Sequence, residues 1–229
     1  MSTEQIRRWH SQSDGKGLAR VVSAEILHLA DIALADRGVF HLVLAGGSSP
    51  RVIYETLREA DADWPVWHIW FGDERCLAPD DAARNSRMAA ECWLDHVDIP
   101  AEHVHIIPTE QGAKVAAAAY ANLLAGVGDF DLVLLGLGED GHTASLFPNH
   151  AWGAEPDAPE VLAVFDSPKP PSERVSLSAR RLSAARQVFF ITGVSGKESA
   201  LSAWRKGESI PAAAITPASG VDIFTIHDA

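Results

Sequence analysis

The chain has 229 residues, of which 47% are hydrophobic and 22% charged, with a formal net charge of −12, an ordinary globular composition of one-domain size. That charge argues against a broad nucleic-acid footprint, which needs basic surface, while leaving room for a small anionic ligand held by a few local cations. No apolar run approaches the roughly 18 residues of a membrane span, the N-terminus lacks the apolar core of a secretory signal, and two cysteines, Cys76 and Cys92, fit a reducing cytoplasm better than a disulfide framework.

Residues 18–37 carry apolar side chains at helical spacing (Leu18, Val21, Val22, Ile26, Leu29, Ile32, Ala33), with Gly38 placed as a stop. A buried strand is expected over 39–45. It runs into Gly46, Gly47, Ser48, Ser49 and Pro50, ahead of a helix over 51–60. A glycine turn with hydroxyls before a helix start is an anion cradle, because first-turn amides are unpaired and the helix dipole favours negative charge. The bland alternative is a tight turn that holds nothing.

The next strand, 67–71, ends in Asp73, Glu74 and Arg75, which read equally as a catalytic cluster or a solvated turn. Residues 85–97 look helical and 104–107 form a third strand. His103 and His105 share a strand face, a spacing that can bind a metal. With no third ligand in view, two histidines at a strand edge are the favoured reading. An alanine-rich helix over 113–125 leads to the apolar strand 130–135.

Residues 149–171, rich in Pro, Ala and acids, read as a long excursion, with a strand at 161–165. A rigid basic turn covers 168–174, and 174–178 alternates as a half-buried strand does. Strand 187–193 precedes Lys197 and a helix to 206, and 221–226 is the last strand. Strand, loop and helix repeat, so the expected fold is α/β: a doubly wound, mostly parallel Rossmann-like sheet with helices on both faces. The whole chain, 1–229, reads as one domain, with 149–171 as a loop excursion or small lobe. A parallel sheet would gather loops 46–50, 72–75, 136–145, 168–174 and 193–197 on one edge.

The loop after strand 130–135 is the sharpest feature. Gly136-Leu137-Gly138-Glu139-Asp140-Gly141 fits the dinucleotide pattern G-x-G-x-x-G. Two carboxylates stand where a pyrophosphate would sit, however, and Pro148 leaves little room for the helix that the fingerprint requires. His142 follows at the strand's carboxyl end, with acidic neighbours able to orient its ring and an unperturbed pKa near neutrality. A histidine that merely satisfies backbone groups is the weaker reading. No G-x-S-x-G elbow supports a serine hydrolase, and Cys76 has only its position to recommend it as a nucleophile.

These motifs carry a resemblance. From about residue 44 onward the chain resembles the 6-phosphogluconolactonases, in the wider family that also holds glucosamine-6-phosphate deaminase/isomerase. It rests on 46–50, on 73–75 with Asn85, on 136–148, on 167–171 with 174–178, and on 193–197. The ending, 223–229, departs from the pattern, which usually carries a tryptophan there.

The resemblance implies hydrolysis of 6-phospho-D-glucono-1,5-lactone without metal or cofactor. It implies His142 as general base, oriented by Asp140. The substrate contacts would be Gly47, Ser48, Ser49, Asp73, Arg75, Asn85, Arg174 and Lys197, with the phosphate near 47–49, Arg75 and Lys197. The partner is then a small phosphosugar lactone, with no nucleic acid or membrane, and the protein a monomer or weak homodimer. A deaminase of this family resembles the chain through Asp-Gly-His but carries a glutamate just before the proline, where this chain has Phe147. A sugar-phosphate sensor would want an appended effector domain, for which the first 17 residues are too short.

Overall fold

The computed structural model describes residues 5–226; positions 227–229 of the divergent ending lie outside the described residues. The strands are β1 (Arg7–Gln12), β2 (Phe40–Leu44), β3 (Trp67–Phe71), β4 (Asp73–Arg75), β5 (Val104–His105), β6 (Phe130–Leu135), β7 (Val161–Val164), β8 (Arg174–Leu177), β9 (Ala185–Gly193) and β10 (Val221–Ile226). The helices are α1 (Gly15–Arg37), α2 (Ser48–Leu57), α3 (Asn85–Cys92), α4 (Ala113–Leu124), α5 (Ala179–Ser183) and α6 (Glu198–Arg205).

Seven strands form one sheet in the order β1-β10-β9-β6-β2-β3-β5, and every pairing in it is parallel. Its central strands are apolar runs because both faces are covered; all six residues of β6 are buried. Neighbouring residues of β9 show the two layers. Phe190 meets Trp204 of α6 at 4.6 Å, while Phe189 shares a groove with Val21 and Leu29 of α1. The fold is the doubly wound one expected.

Helix α1 starts three residues before the first apolar position because Asp14 caps it, accepting from Gly17 N at 2.7 Å. It stops at Gly38, whose φ of 73° suits a residue without a Cβ. Helix α2 also starts early, at Ser48, which brings both serines into its first turn. Helix α3 ends at Cys92 and β5 is only two residues long, both shorter than expected.

Two expectations need correction. Residues 161–164 and 174–177 are not part of the parallel sheet. With β4 they make a separate antiparallel sheet, β4-β8-β7. Strand β8 is buried at all four positions instead of alternating; Arg174 and Ser176 point into a polar interior that satisfies them. The stretch 149–171 is tied down: Trp152 Nε1 donates to Phe147 O at 2.7 Å, and Arg180 N donates to Gly153 O at 2.9 Å. Strand β1 was absent from the expectation altogether. Among the described residues no helix is long and apolar enough to cross a membrane.

The strand order also fixes where a ligand belongs. From β2 the chain winds outward through β3 and β5, and from β6 it winds the other way through β9 and β10. The two windings part between β2 and β6, and crevices open at such a switch point beyond the strands' carboxyl ends. At the opposite ends, Asp131 accepts from Arg37 Nη2 at 2.6 Å and from His41 N at 2.8 Å. Asp131→Ala should lower the unfolding free energy by about 1.5–3 kcal/mol, the range for hydrogen bonds to charged groups, while leaving the ligand crevice untouched. Urea denaturation followed by a ligand-binding measurement checks both halves.

Candidate active site

A cleft of about 280 Å³ opens at the switch point, lined by Gly47, Ser48, Ser49, Asp73, Arg75, His142, Lys169, Arg174 and Lys197, with the backbone of Gly136 to Gly138. All five expected loops therefore contribute expected residues, and the loop 168–174 adds Lys169 to its expected Arg174.

The loop after β6 is built around the histidine. Gly138 N donates to His142 O at 2.8 Å, and Gly141 N to Gly138 O at 3.0 Å. Gly141 has φ +83°, and a Cβ there would press on Ile210. Thr143 Oγ1 ties the loop's far side to Gly136 O at 2.8 Å. His142 Nδ1 lies 2.5 Å from Asp140 Oδ1, which also accepts His142 N at 3.1 Å. Burial penalises charge on Asp140, but the hydrogen bonds from the His142 ring and backbone outweigh it and hold the carboxyl below the ordinary carboxylate range. An ionised Asp140 requires the proton on Nδ1, so the neutral ring keeps its lone pair on Nε2. No α-helix follows this loop before β7, as the rejection of a dinucleotide site requires.

The glycine turn after β2 delivers the N-terminus of α2. Gly47 has φ +109°, and Arg51 N closes the turn onto Gly47 O at 3.2 Å. The first-turn amides face the cleft unpaired by the helix. Gly46 is a glycine for another reason: a Cβ there would lie 1.9 Å from Asn85 Oδ1.

Asn85 corrects the expected contact set. It is 3% exposed and does not line the cleft. Its Nδ2 donates to Asp73 O at 2.9 Å and to Asp73 Oδ1 at 3.0 Å, bracing the β2 turn against β4. Asp73 does reach the lining, but its carboxylate is engaged as well, accepting from Ser145 Oγ at 2.6 Å with Arg174 Nη1 at 3.9 Å. The Asp-Glu-Arg cluster is a strand, not a solvated turn. Glu74 is fully buried and accepts from Arg75 N, Asn85 N and Ser86 N, so it caps α3. Arg75 reaches the cleft, with its carbonyl held by Thr109 Oγ1 at 2.8 Å.

Lys197 donates to Thr192 Oγ1 at 2.9 Å. Burial and the nearby charge of Lys169 lower its pKa below the usual lysine value, partly offset by Glu139. The sequence places Lys169 in a basic turn and in the resemblance motif 167–171 without assigning it a role; its place among three prolines, where a charged side chain is displayed rigidly, was the available signal. Cys76 lies outside the lining, and burial, with Glu173 and Glu74, pushes its thiol up to about 11, which leaves little thiolate near neutrality. His103 and His105 gain a third neighbour, His68, whose Nδ1 is 3.1 Å from His105 Nε2 and whose ring stacks on His103 at 3.9 Å. The rings face one another, and among the described residues no group of three such side chains is placed to hold a metal.

The chain is similar to known proteins over most of its length. The family described as glucosamine-6-phosphate isomerases/6-phosphogluconolactonase matches residues 13–224. A 6-phosphogluconolactonase of Nostoc is 37% identical over 190 residues, covering 77% of this chain and 75% of its own. One from Mycobacterium leprae is 34% identical over 227 residues, covering 93% and 91%. The crystal structure of the Thermotoga maritima 6-phosphogluconolactonase superposes with a TM-score of 0.89 at 27% identity, covering 97% of this chain and 100% of that one.

The packing makes one residue diagnostic. A Cβ on Gly138 would lie 2.0 Å from His142 Nδ1, in the space that the Asp140 contact occupies. Gly138→Ala should therefore swing the ring off Asp140 and lower kcat about a hundredfold, the scale of a 1 Å misplacement, with thermal stability little changed. Steady-state kinetics beside a melting curve separates this from general unfolding.

Proposed function

The chain belongs to the glucosamine-6-phosphate isomerase/6-phosphogluconolactonase family, and on that premise we propose that its cleft hydrolyses 6-phospho-D-glucono-1,5-lactone to 6-phospho-D-gluconate, the second step of the oxidative pentose phosphate pathway. The observation that supports this reading most strongly is the His142–Asp140 pair set among cations. A ring whose Nδ1–H is committed to a carboxylate has Nε2 free to act as a base.

In this reading Nε2 takes a proton from a water as the water oxygen attacks C1. The tetrahedral oxyanion that forms is stabilised by the cations and amides around the cleft. Its collapse breaks the bond from C1 to the ring oxygen, and the imidazolium returns the proton to that oxygen as it leaves. The carboxylic acid product then ionises. One histidine suffices, and the reaction needs no covalent intermediate. The amides of Gly47, Ser48 and Ser49, with Arg75 and Lys197, hold the phosphate. Arg174 supports from below: its Nη2 donates to the carbonyls of Lys169 and Pro170 at 3.2 and 3.0 Å.

Phe147 argues against the deaminase. Where that relative carries a glutamate, this chain places a fully buried ring 4.8 Å from His142, with no proton to exchange. The two free cysteines suit a reducing compartment, so the proposed location is the cytoplasm.

His142→Ala should lower the enzymatic rate about 10²–10⁴-fold. Freshly generated lactone, with the spontaneous rate subtracted, is the assay; a wild type no faster than buffer would remove the assignment, and ammonia release from glucosamine 6-phosphate would promote the rival.

A second expectation concerns pH. Because the Lys197 pKa is lowered, its charge is complete below that value and is lost as pH rises through it. Affinity for 6-phosphogluconate should thus fall on the alkaline side before an ordinary lysine would titrate. Calorimetry with this stable product avoids alkaline hydrolysis of the lactone, and an affinity flat through that range would exclude Lys197 from the anion site.

A further inference from the structure

Outside the cleft, the edge of the main sheet carries a row of histidines. The parallel register sets His41 of β2 beside His68 of β3, and Trp70 of β3 beside His105 of β5. A strand repeats its faces every second residue, so these side chains share one face. The His41 and His68 rings lie 4.9 Å apart, His103 stacks on His68 at 3.9 Å, and His105 stacks on Trp70 at 3.8 Å.

The hydrogen bonds of this row require uncharged rings. Trp70 Nε1 donates to His41 Nδ1 at 3.1 Å. An indole nitrogen can only donate, so His41 Nδ1 must keep its lone pair. His68 Nδ1 faces His105 Nε2 at 3.1 Å, a contact that two imidazolium rings would turn into N–H against N–H. His103 Nδ1 is buried with no hydrogen-bond partner among the described residues. Burial, and then the neighbouring rings, hold His68 and His105 down to about 4. Burial lowers His41 too; Asp131 opposes this, while Arg181, Arg37 and His103 add to it.

The surrounding elements offer the row little compensation. Asp131 of β6 is the carboxylate beside His41, but it already accepts from Arg37 at 2.6 Å, with Arg186 at 3.5 Å. Strands β3 and β5 carry no acid. Helix α4 presents Tyr120 to Trp70, and Glu102, next to His103, is exposed.

What the row holds in place leads to the cleft. Strand β5 is two residues long and lies at the sheet's edge, paired with β3. Just beyond it, Ile107 O accepts from Arg84 Nη2 at 2.8 Å, and Thr109 Oγ1 donates to the carbonyl of Arg75 at 2.8 Å. Arg75 lines the cleft.

We propose that the histidine row is an acid-sensitive latch: uncharged, it holds β5 against β3, and protonated in mild acid it favours release of residues 101–109 and of the support they give Arg75. The latch does not depend on which substrate the cleft takes.

Above the ordinary histidine pKa of about 6.5 the latched and released states bind protons equally, and the latch is at full strength. As pH falls, released rings take up protons that the latched rings refuse until about 4, so the latch weakens across that window. At about pH 5 opening is favoured roughly thirtyfold for each of His68 and His105, or about 10³-fold for the two together.

Hydrogen exchange of the whole chain at about pH 7.5 and about pH 5, corrected for the intrinsic pH dependence of exchange, tests this. Protection over 101–109 should fall by about 10³ in wild type, that over 73–76 should fall with it, and that over 130–135 should persist. The double variant His68→Phe/His105→Phe removes both ends of one hydrogen bond and keeps two rings, so it should protect 101–109 equally at both pH values. Wild-type protection that is the same at both pH values overturns the proposal, as does an equal fall in the double variant. Protection lost over 101–109 but kept over 73–76 overturns its reach to the cleft. Should the double variant not fold, NMR titration of the wild-type imidazole C2 protons decides. Rings of His68 and His105 that charge near the ordinary histidine value while 101–109 stays protected overturn the latch, and rings that charge only as protection is lost support it.

Discussion

The carboxylate of Asp73 is the junction on which the cleft depends. It is 6% exposed, and a carboxylate taken out of water is tolerated only when its oxygens are satisfied. One oxygen accepts from Asn85, which leans on Gly46; the other accepts from Ser145, in the loop that carries His142. Arg174 stands behind them at 3.9 Å. Three loops from three strand ends and one strand of the small sheet therefore meet at one charged group. Each could be displaced alone at modest cost; displaced together they would strand a buried charge. Gly46 is constrained by the same junction, since any side chain there would push Asn85 off the carboxylate.

That junction explains why a three-stranded antiparallel sheet is attached to a parallel one. The switch point between β2 and β6 supplies a crevice and two glycine turns, but it faces solvent on one side. Strands β4 and β8 close that side and bring Arg174 and the Lys169 turn over it. The result is a cationic hollow in a molecule of net charge −12. A cluster of cations inside a cleft of an otherwise acidic molecule draws a small anion toward it, and the acidic exterior discourages polyanions that a small pocket has no use for.

The parts of this fold that were legible in the sequence share a physical cause. Strands β2, β3, β6, β9 and β10 are covered on both faces over most of their length, so their burial is written as largely apolar runs, and the loops at their carboxyl ends were legible with them. Strand β1 reads Arg-Arg-Trp-His-Ser-Gln. It is an edge strand whose side chains are half exposed, and its pairing with β10 is a backbone matter that composition does not encode. The small sheet was misplaced because Arg174 and Ser176 look like a solvent face, whereas their polarity serves an internal network. The same confusion hid the work of Asn85: a conspicuous polar residue near a site was taken as a ligand contact, and only three-dimensional distance to Gly46 and Asp73 shows it to be a brace. Lys169 was hidden for the opposite reason, since a lysine in a proline-rich turn usually points to water.

Phe147 carries the last step from geometry to chemistry. Its ring is fully buried, 4.8 Å from the His142 ring and 5.6 Å beneath the Arg174 guanidinium. An apolar wall on that side leaves Asp140 as the carboxylate hydrogen-bonded to the histidine. Opening an amino-sugar ring and moving a proton between carbons asks for an acid and a base that change independently. Hydrolysis of a lactone asks for one group, because the proton removed from water is the proton returned to the departing ring oxygen. A histidine with one oriented nitrogen and one free nitrogen can do the second and not the first. An apolar ring where the deaminase pattern has a carboxylate thus fits the single-base reaction proposed above, and it walls His142 on one side.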